Sequence, residues 1–162
     1  TYVELEDLCN KYKDKENAKI FILDKIEDPH NFGAIARSAN FFGVDAIIFP
    51  NRRAATVNDT VVKSSAGAIY DIDVCKVGNI SQAIEKLKEV GFWIFATDLK
   101  GEDIRETDFS GKVGVIIGNE GKGVSKNLLK SSDKIITIPN FSDFDSLNAS
   151  VAAAVIMFEI VR

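Results

Sequence analysis

A chain of 162 residues is about one domain's worth, and 46% hydrophobic with 27% charged residues is the balance of an ordinary soluble globular protein. No apolar run approaches the ~20 residues needed to span a membrane, and the opening Thr1-Tyr2-Val3-Glu4-Leu5 has neither the basic nor the apolar stretch of a secretion signal. A formal net charge of −4 sets aside a strongly basic nucleic-acid binder, and Cys9 and Cys75, far apart and without any CxxC or Cys/His cluster, predict no metal site and reduced cytoplasmic thiols.

Residues 1–18 are polar, with a Lys/Asp/Glu-rich stretch from Lys11 to Lys19, and read as a short helix plus linker outside the core. Residues 19–162 read as a single domain. The apolar run Ile20-Phe21-Ile22-Leu23 predicts a buried strand. After Asp28-Pro29-His30, Asn31 can cap a helix to about Phe42, with Gly43 as its stop. Val44 to Phe49 reads as a strand, Val57 to Ser65 as a helix, and Ile80 to Val90 as an amphipathic helix with Ile84, Leu87 and Val90 on one face. Strands are expected at Phe92–Ala96, Val113–Ile117 and Lys134–Ile138, a helical turn or two at Ser125–Lys130, and a long helix from Ser146 to Arg162. Short apolar strands alternating with helices imply an α/β fold, a parallel sheet flanked by helices on both faces.

Three stretches stand out. The first is Asp28-Pro29-His30-Asn31-Phe32-Gly33-Ala34-Ile35-Ala36-Arg37-Ser38-Ala39-Asn40, at a strand-to-helix junction. Ligands of open α/β sheets bind at the carboxyl ends of strands. Phe32, Ile35, Ala39 and Phe42 form the core stripe of that helix, which leaves Arg37 on roughly the opposite face. From periodicity alone the plainer reading comes first, with Arg37 a solvated surface side chain and Asn31 a cap. His30, the only histidine, has no carboxylate or nucleophile at a telling distance and suits local turn packing beside Pro29.

The second stretch is Val113-Gly114-Val115-Ile116-Ile117-Gly118-Asn119-Glu120-Gly121-Lys122-Gly123-Val124. Its GxxGxG spacing is neither the dinucleotide fingerprint nor a P-loop. Glu120 would repel a pyrophosphate but not a sulfonium cofactor that lacks phosphates, and a plain structural turn is the alternative. The third runs Ile138-Pro139-Asn140-Phe141-Ser142-Asp143-Phe144-Asp145-Ser146-Leu147-Asn148-Ala149-Ser150-Val151, where Asp145 or Ser146 can cap the last helix. From Val151 to Phe158 that helix is apolar almost all round, which points either to a core helix or to one partly buried in a subunit interface.

Together the three stretches resemble motif 1 (DPxNxGAxxRSAxxxG), motif 2 (xxxGxEGxG) and motif 3 (IPMxGxxxSLNxSVAxxxxxxE) of the SpoU (TrmH-like) family of SPOUT methyltransferases. The match runs in order and spacing from about Phe21 to Arg162, nearest to bacterial 23S rRNA guanosine 2′-O-methyltransferases. The resemblance implies a homodimeric domain with a deep C-terminal trefoil knot that binds S-adenosylmethionine and methylates a ribose 2′-hydroxyl of RNA, ribosomal RNA ranking ahead of transfer RNA. It carries catalytic roles onto Asn31, Arg37, Glu120, Ser146 and Asn148. Cofactor contacts would come from Gly118, Ile138 and Leu147, with Thr97 at the end of the preceding strand. No metal and no membrane are implied.

Motif 3 departs from the family where Asn140 and Ser142 replace Met and Gly, and a Cβ at Ser142 stands where backbone approaches closely. The alternative is therefore a knotted domain that binds RNA or cofactor with little or no catalysis. Many family members also carry an N-terminal RNA-binding domain, and residues 1–18 look like the linker that would follow it. Arg52, Arg53, Lys63, Lys112, Lys122, Lys126 and Lys130 are candidates for a basic rim that would offset the acidic total.

Overall fold

The computed structural model describes residues 2–50, 72–119, 121–143 and 146–161. The helix expected at 57–65, and with it Arg52, Arg53 and Lys63, lies outside the described residues, as does Glu120. The described elements are β1 (Tyr2–Val3), α1 (Leu5–Tyr12), β2 (Ala18–Leu23), α2 (Pro29–Phe42), β3 (Ala46–Pro50), β4 (Asp73–Val77), α3 (Ile80–Glu89), β5 (Trp93–Asp103), a 3-10 turn at Ile104–Glu106, β6 (Lys112–Ile117), α4 (Lys126–Ser131), β7 (Lys134–Thr137) and α5 (Ala149–Ile160).

Seven strands form one sheet in the order β1-β4-β3-β2-β6-β5-β7, and every described pair is parallel. The apolar runs are continuous because both faces of the strands are covered. Phe21, Leu23, Val115 and Ile117 face α2 and α5. Ile20, Ile22 and Ile116 face the opposite core, built with α1, α3 and α4. The expected parallel α/β architecture is what the chain adopts. No helix among the described residues is long and apolar enough to cross a membrane.

Several expectations need correction. Residues 1–18 are not outside the core. β1 pairs with β4, and Leu8, Cys9 and Tyr12 of α1 are buried with the second core. Lys19, taken for the end of a charged surface stretch, is buried in β2, where its ammonium donates to the carbonyls of Phe109 (2.6 Å) and Gly111 (2.7 Å). The α2 cap is Asp28, whose carboxylate accepts from the His30 amide (2.8 Å), with Pro29 entering the first turn, so Asn31 already lies inside the helix. Asn148, and not Ser146, caps α5 by accepting from the amides of Ser150 (2.9 Å) and Val151 (3.4 Å), while Asp145 lies outside the described residues. β4 was unexpected, and β5 runs past Ala96 to Asp103 through an irregularity between Thr97 and Glu102.

Other positions agree with the sequence. Gly43 closes α2 in the left-handed conformation, at φ 75°. Phe32, Ile35 and Ala39 are buried as the core stripe of α2, Phe42 packs against it, and Arg37 is exposed.

Candidate active site

Because the strands are parallel, their carboxyl ends share one edge of the sheet, and the segments following neighbouring strands meet there. β2, β6, β5 and β7 are consecutive in the sheet. The loop into α2, the glycine loop after β6, the turn after Thr97 and the long loop after β7 are therefore brought together by topology alone. The Asp24 amide donates to the Ile117 carbonyl (2.8 Å), and Thr97 Oγ1 donates to the Ile116 carbonyl (2.9 Å), which fixes the ends of β2 and β5 against that of β6.

The four candidate cofactor residues all stand at this edge. Thr97 is half-buried at the point where β5 bends away, Gly118 directly follows β6, and Ile138 directly follows β7. Leu147, 46% exposed, sits on the loop that returns from β7 to α5. Gly118 has no room for a side chain, since a Cβ there would lie 2.2 Å from the Gly123 carbonyl carbon. The glycine loop doubles back on itself, with the Gly123 amide donating to the Asn119 carbonyl (2.7 Å). At the neighbouring turn a Cβ on Gly101 would stand 2.7 Å from the Ile135 carbonyl oxygen. Gly118 marks a turn folded tightly on itself, and Gly101 a close approach of β5 to the neighbouring β7.

Of the candidate catalytic residues, Asn31 is half-buried in the first turn of α2, and Ser146 and Asn148 are exposed at the approach to α5. These three belong to the carboxyl edge. Arg37 does not. It stands roughly 12 Å along the helix axis from Pro29, about two turns on, and exposed. Its backbone is thus set back from the strand ends.

The altered motif 3 loop has its own closure. The Asn140 carboxamide oxygen accepts from the Ser142 amide (2.8 Å) and from its hydroxyl (2.9 Å), so serine makes the turn that glycine would make by conformational freedom. Phe141 between them is 87% exposed. Of the basic residues, Lys122 is exposed in the glycine loop and Lys126 is exposed at the start of α4. Lys112 is not part of a rim at this edge. It lies at the opposite end of β6 and donates to the carbonyls of Tyr12 and Lys13 (both 3.1 Å).

A cavity of about 690 Å³ opens at that opposite, amino edge, lined by Lys19, Asp45, Asp108 and Glu159 among others. It contains none of the candidate site residues.

Sequence reasoning missed the residues that join the loops. Asp24, 3% exposed, accepts from both the amide (2.8 Å) and the hydroxyl (2.7 Å) of Ser125. Asn119 donates to the Lys25 carbonyl (3.3 Å) and accepts from the Gly121 amide (2.9 Å). A signal was present: a carboxylate that ends an apolar run, as in Phe21-Ile22-Leu23-Asp24, is buried only where donors await it.

A family model described as the SpoU rRNA Methylase family matches residues 18–158. The chain belongs to this family. An uncharacterized tRNA/rRNA methyltransferase of Borreliella burgdorferi is 45% identical over 160 residues, covering 98% of this chain and 70% of that protein. The AdoMet-bound rRNA methyltransferase from Sinorhizobium meliloti superposes with a TM-score of 0.83 at 28% identity, over 99% of this chain and 60% of that one. The A. aeolicus TrmH/SpoU tRNA modifying enzyme superposes with a TM-score of 0.76 at 29% identity, over 97% of this chain and 82% of the other. This SpoU chain thus spans 60% to 82% of the length of these three proteins.

The donor set at the carboxyl edge suits a sulfonium nucleoside. Ile138 and Leu147 offer apolar surface for a purine, and the glycine loop brings backbone amides and carbonyls within reach without a Cβ in the way. None of Thr97, Gly118, Ile138 and Leu147 is a cation that would oppose a positively charged sulfur.

Proposed function

We propose that this SpoU-family chain transfers a methyl group from S-adenosylmethionine to a ribose 2′-hydroxyl of RNA, with guanosine in ribosomal RNA as the substrate and a homodimer as the working form. The observation that carries the reading is the convergence of all three motif loops on one edge of the sheet. The S. meliloti rRNA enzyme, whose fold is more similar than that of the A. aeolicus tRNA enzyme, favours ribosomal RNA. The deep C-terminal trefoil knot belongs to this reading through the family's motifs, and the tight turn at Gly118 is compatible with a backbone-lined cofactor site.

When bound, S-adenosylmethionine supplies a methyl group on a positively charged sulfur that departs as a neutral thioether. The protein's part is to hold the ribose oxygen in line with that methyl group and to let the hydroxyl proton leave. Asn148 and Ser146, on the loop that carries Leu147, position the ribose, with Asn31 facing them from the start of α2 and Glu120 supplied by the glycine loop. A guanidinium is a poor general base, so proton abstraction is not the part assigned to Arg37. Its role is to bind the RNA phosphate beside the target ribose and orient the hydroxyl.

Arg37 reaches the chemistry through the dimer. α5 is buried on one side through Ala153, Ile156, Met157 and Ile160, yet Val151 (47%), Val155 (39%) and Phe158 (62%) are exposed along the other. Phe158 packs edge-on against Phe42 (6.0 Å), which packs against Phe41 (5.1 Å), itself 80% exposed. An aromatic and aliphatic surface of this kind marks an association site. Phe41 lies one turn beyond Arg37 on the same face of α2. A second copy seated on this surface brings Arg37 into the interface and completes the site.

The test is methylation of ribosomal RNA by the full-length protein with isotopically labelled cofactor, followed by digestion to nucleosides. Label in a 2′-O-methylguanosine is the expected result. Label on a base, or cofactor binding without transfer to any RNA, would overturn the reading.

A further inference from the structure

Asp24 and Lys25 are consecutive at the end of β2, and each holds one end of the glycine loop. The Lys25 carbonyl accepts from the Asn119 carboxamide (3.3 Å) at the loop's beginning. The Asp24 carboxylate accepts from the Ser125 amide (2.8 Å) and hydroxyl (2.7 Å) at its end. Lys25 takes a left-handed conformation with φ 64°, which a lysine adopts at a cost and only where its surroundings impose it. Asn119 also closes the loop upon itself through the Gly121 amide (2.9 Å). α2 starts a few residues beyond Lys25 and carries Asn31 in its first turn.

We propose that Asn119 and Asp24 are positioning residues, a two-point clasp that ties the shape of the cofactor loop to the segment presenting Asn31 and Arg37. This rests on the functional reading above. The carboxamide has two separable jobs, since its oxygen shapes the glycine loop and its nitrogen joins that loop to the β2 end. Ordering of the glycine loop by cofactor is transmitted through Lys25 to the start of α2, and by linkage an RNA held at α2 tightens the cofactor in return.

The two jobs can be separated. Asn119→Asp keeps the acceptor for Gly121 and loses the donor to Lys25, Asn119→Ala loses both, and Ser125→Ala removes one of the two bonds to Asp24. For the intact protein and each variant, cofactor affinity is measured by calorimetry, kcat and KM on RNA by labelled transfer, and amide hydrogen exchange over residues 24–31 with and without S-adenosylmethionine. In Asn119→Asp we expect retained cofactor binding and unchanged KM. Its kcat should be reduced about 10-fold to 100-fold, as when reacting groups are misplaced but not removed. The slowing of exchange that cofactor produces over residues 24–31 in the parent protein should be absent. Asn119→Ala should lose cofactor affinity as well, and Ser125→Ala should fall between the parent and Asn119→Asp. A parental kcat and a parental exchange response in Asn119→Asp overturn the clasp, and so does a kcat loss that simply follows the loss of cofactor affinity. If the parent protein itself methylates no RNA, the functional reading fails, while the exchange response still decides the coupling.

Discussion

The two edges of the sheet are built from the same strands and do opposite things. At the amino edge the polar groups are consumed by one another. Lys19 is buried with both the Phe109 and Gly111 carbonyls on its ammonium, its own amide donates to Asp45 (2.7 Å), and Lys112 is spent on the α1 terminus. At the carboxyl edge, Leu147 and Phe141 stay exposed, and the glycine loop begins at Gly118, where no side chain fits. The amino edge has a cavity of about 690 Å³ and no motif residue named for chemistry, whereas the carboxyl edge has the convergent loops. Strand direction, which gathers the segments after β2, β6, β5 and β7 at one edge, is the guide to the site in this fold.

The largest effect that would sharpen this contrast is expected at Arg37. Arg37→Ala should reduce methyl transfer to background while calorimetric S-adenosylmethionine affinity stays that of the parent, because the side chain stands about two turns from the strand ends. Retained turnover would remove Arg37 from the reaction. Next comes the surface that would bring it to a second copy. Phe158→Asp places a carboxylate among Phe41, Phe42 and Phe158, and light scattering should then find monomer where the parent is dimer, with transfer lost in parallel. A variant that stays dimeric and active would mean the interface lies elsewhere.

At the amino edge the expectation reverses. Lys19→Met removes the ammonium donor from the buried Phe109 carbonyl, and from the Gly111 carbonyl that the Ala18 amide also reaches (3.4 Å), and should cost about 1–3 kcal/mol of stability, read from denaturant unfolding. Transfer per folded molecule should be unchanged. Should Lys19→Met instead silence methylation without unfolding the protein, the division between the edges would not hold. Burial holds the Lys19 ammonium below its usual range, opposed by Asp45 and Asp108.

The sequence was most legible where one physical requirement acts alone. Apolar runs such as Ile20–Leu23 must be covered on both faces, and Gly43 suits the left-handed stop of α2. It was least legible where context outweighs composition. β4 is interrupted by Asp73 and Lys76, and it is recognisable only once β3 and β1 pair with it. α1 hides Leu8, Cys9 and Tyr12 among charges, in an eight-residue helix too short for its periodicity to stand out. The caps were misjudged by three residues at α2 and by at least two at α5, because Asp28 and Asn148 each compete with a nearby polar residue. For the site, the motifs pointed to loops that the fold gathers at one edge of the sheet. They gave no hint that Asp24 and Asn119 join them, since a hydrogen bond across 101 or 94 residues leaves no trace in local spacing.

The smallest effect concerns a residue at neither edge. Cys75 lies within β4, paired with Val3 and Ile48 on its two sides and fully buried against the α1 core. Burial, with Glu4, Cys9 and Asp73 acting in the same direction, pushes its thiol up to about 12 from the ordinary 9.0. A thiol raised in this way stays protonated in the folded chain while the unfolded chain ionises at its usual pH. Its contribution to stability is therefore full below pH 9.0 and is lost as pH rises from there toward about 12. In Cys75→Ala the denaturation midpoint should fall less steeply with pH across this alkaline window. It should not become flat, because Cys9 and Tyr12 are also raised by burial and remain. S-adenosylmethionine binding should be unaffected at neutral pH, since the residue faces the core opposite α2 and α5. Equal alkaline slopes for parent and variant would show that the Cys75 thiol ionises as easily in the folded protein as in the unfolded chain, and that the core between β4 and α1 is more open to water than its packing indicates.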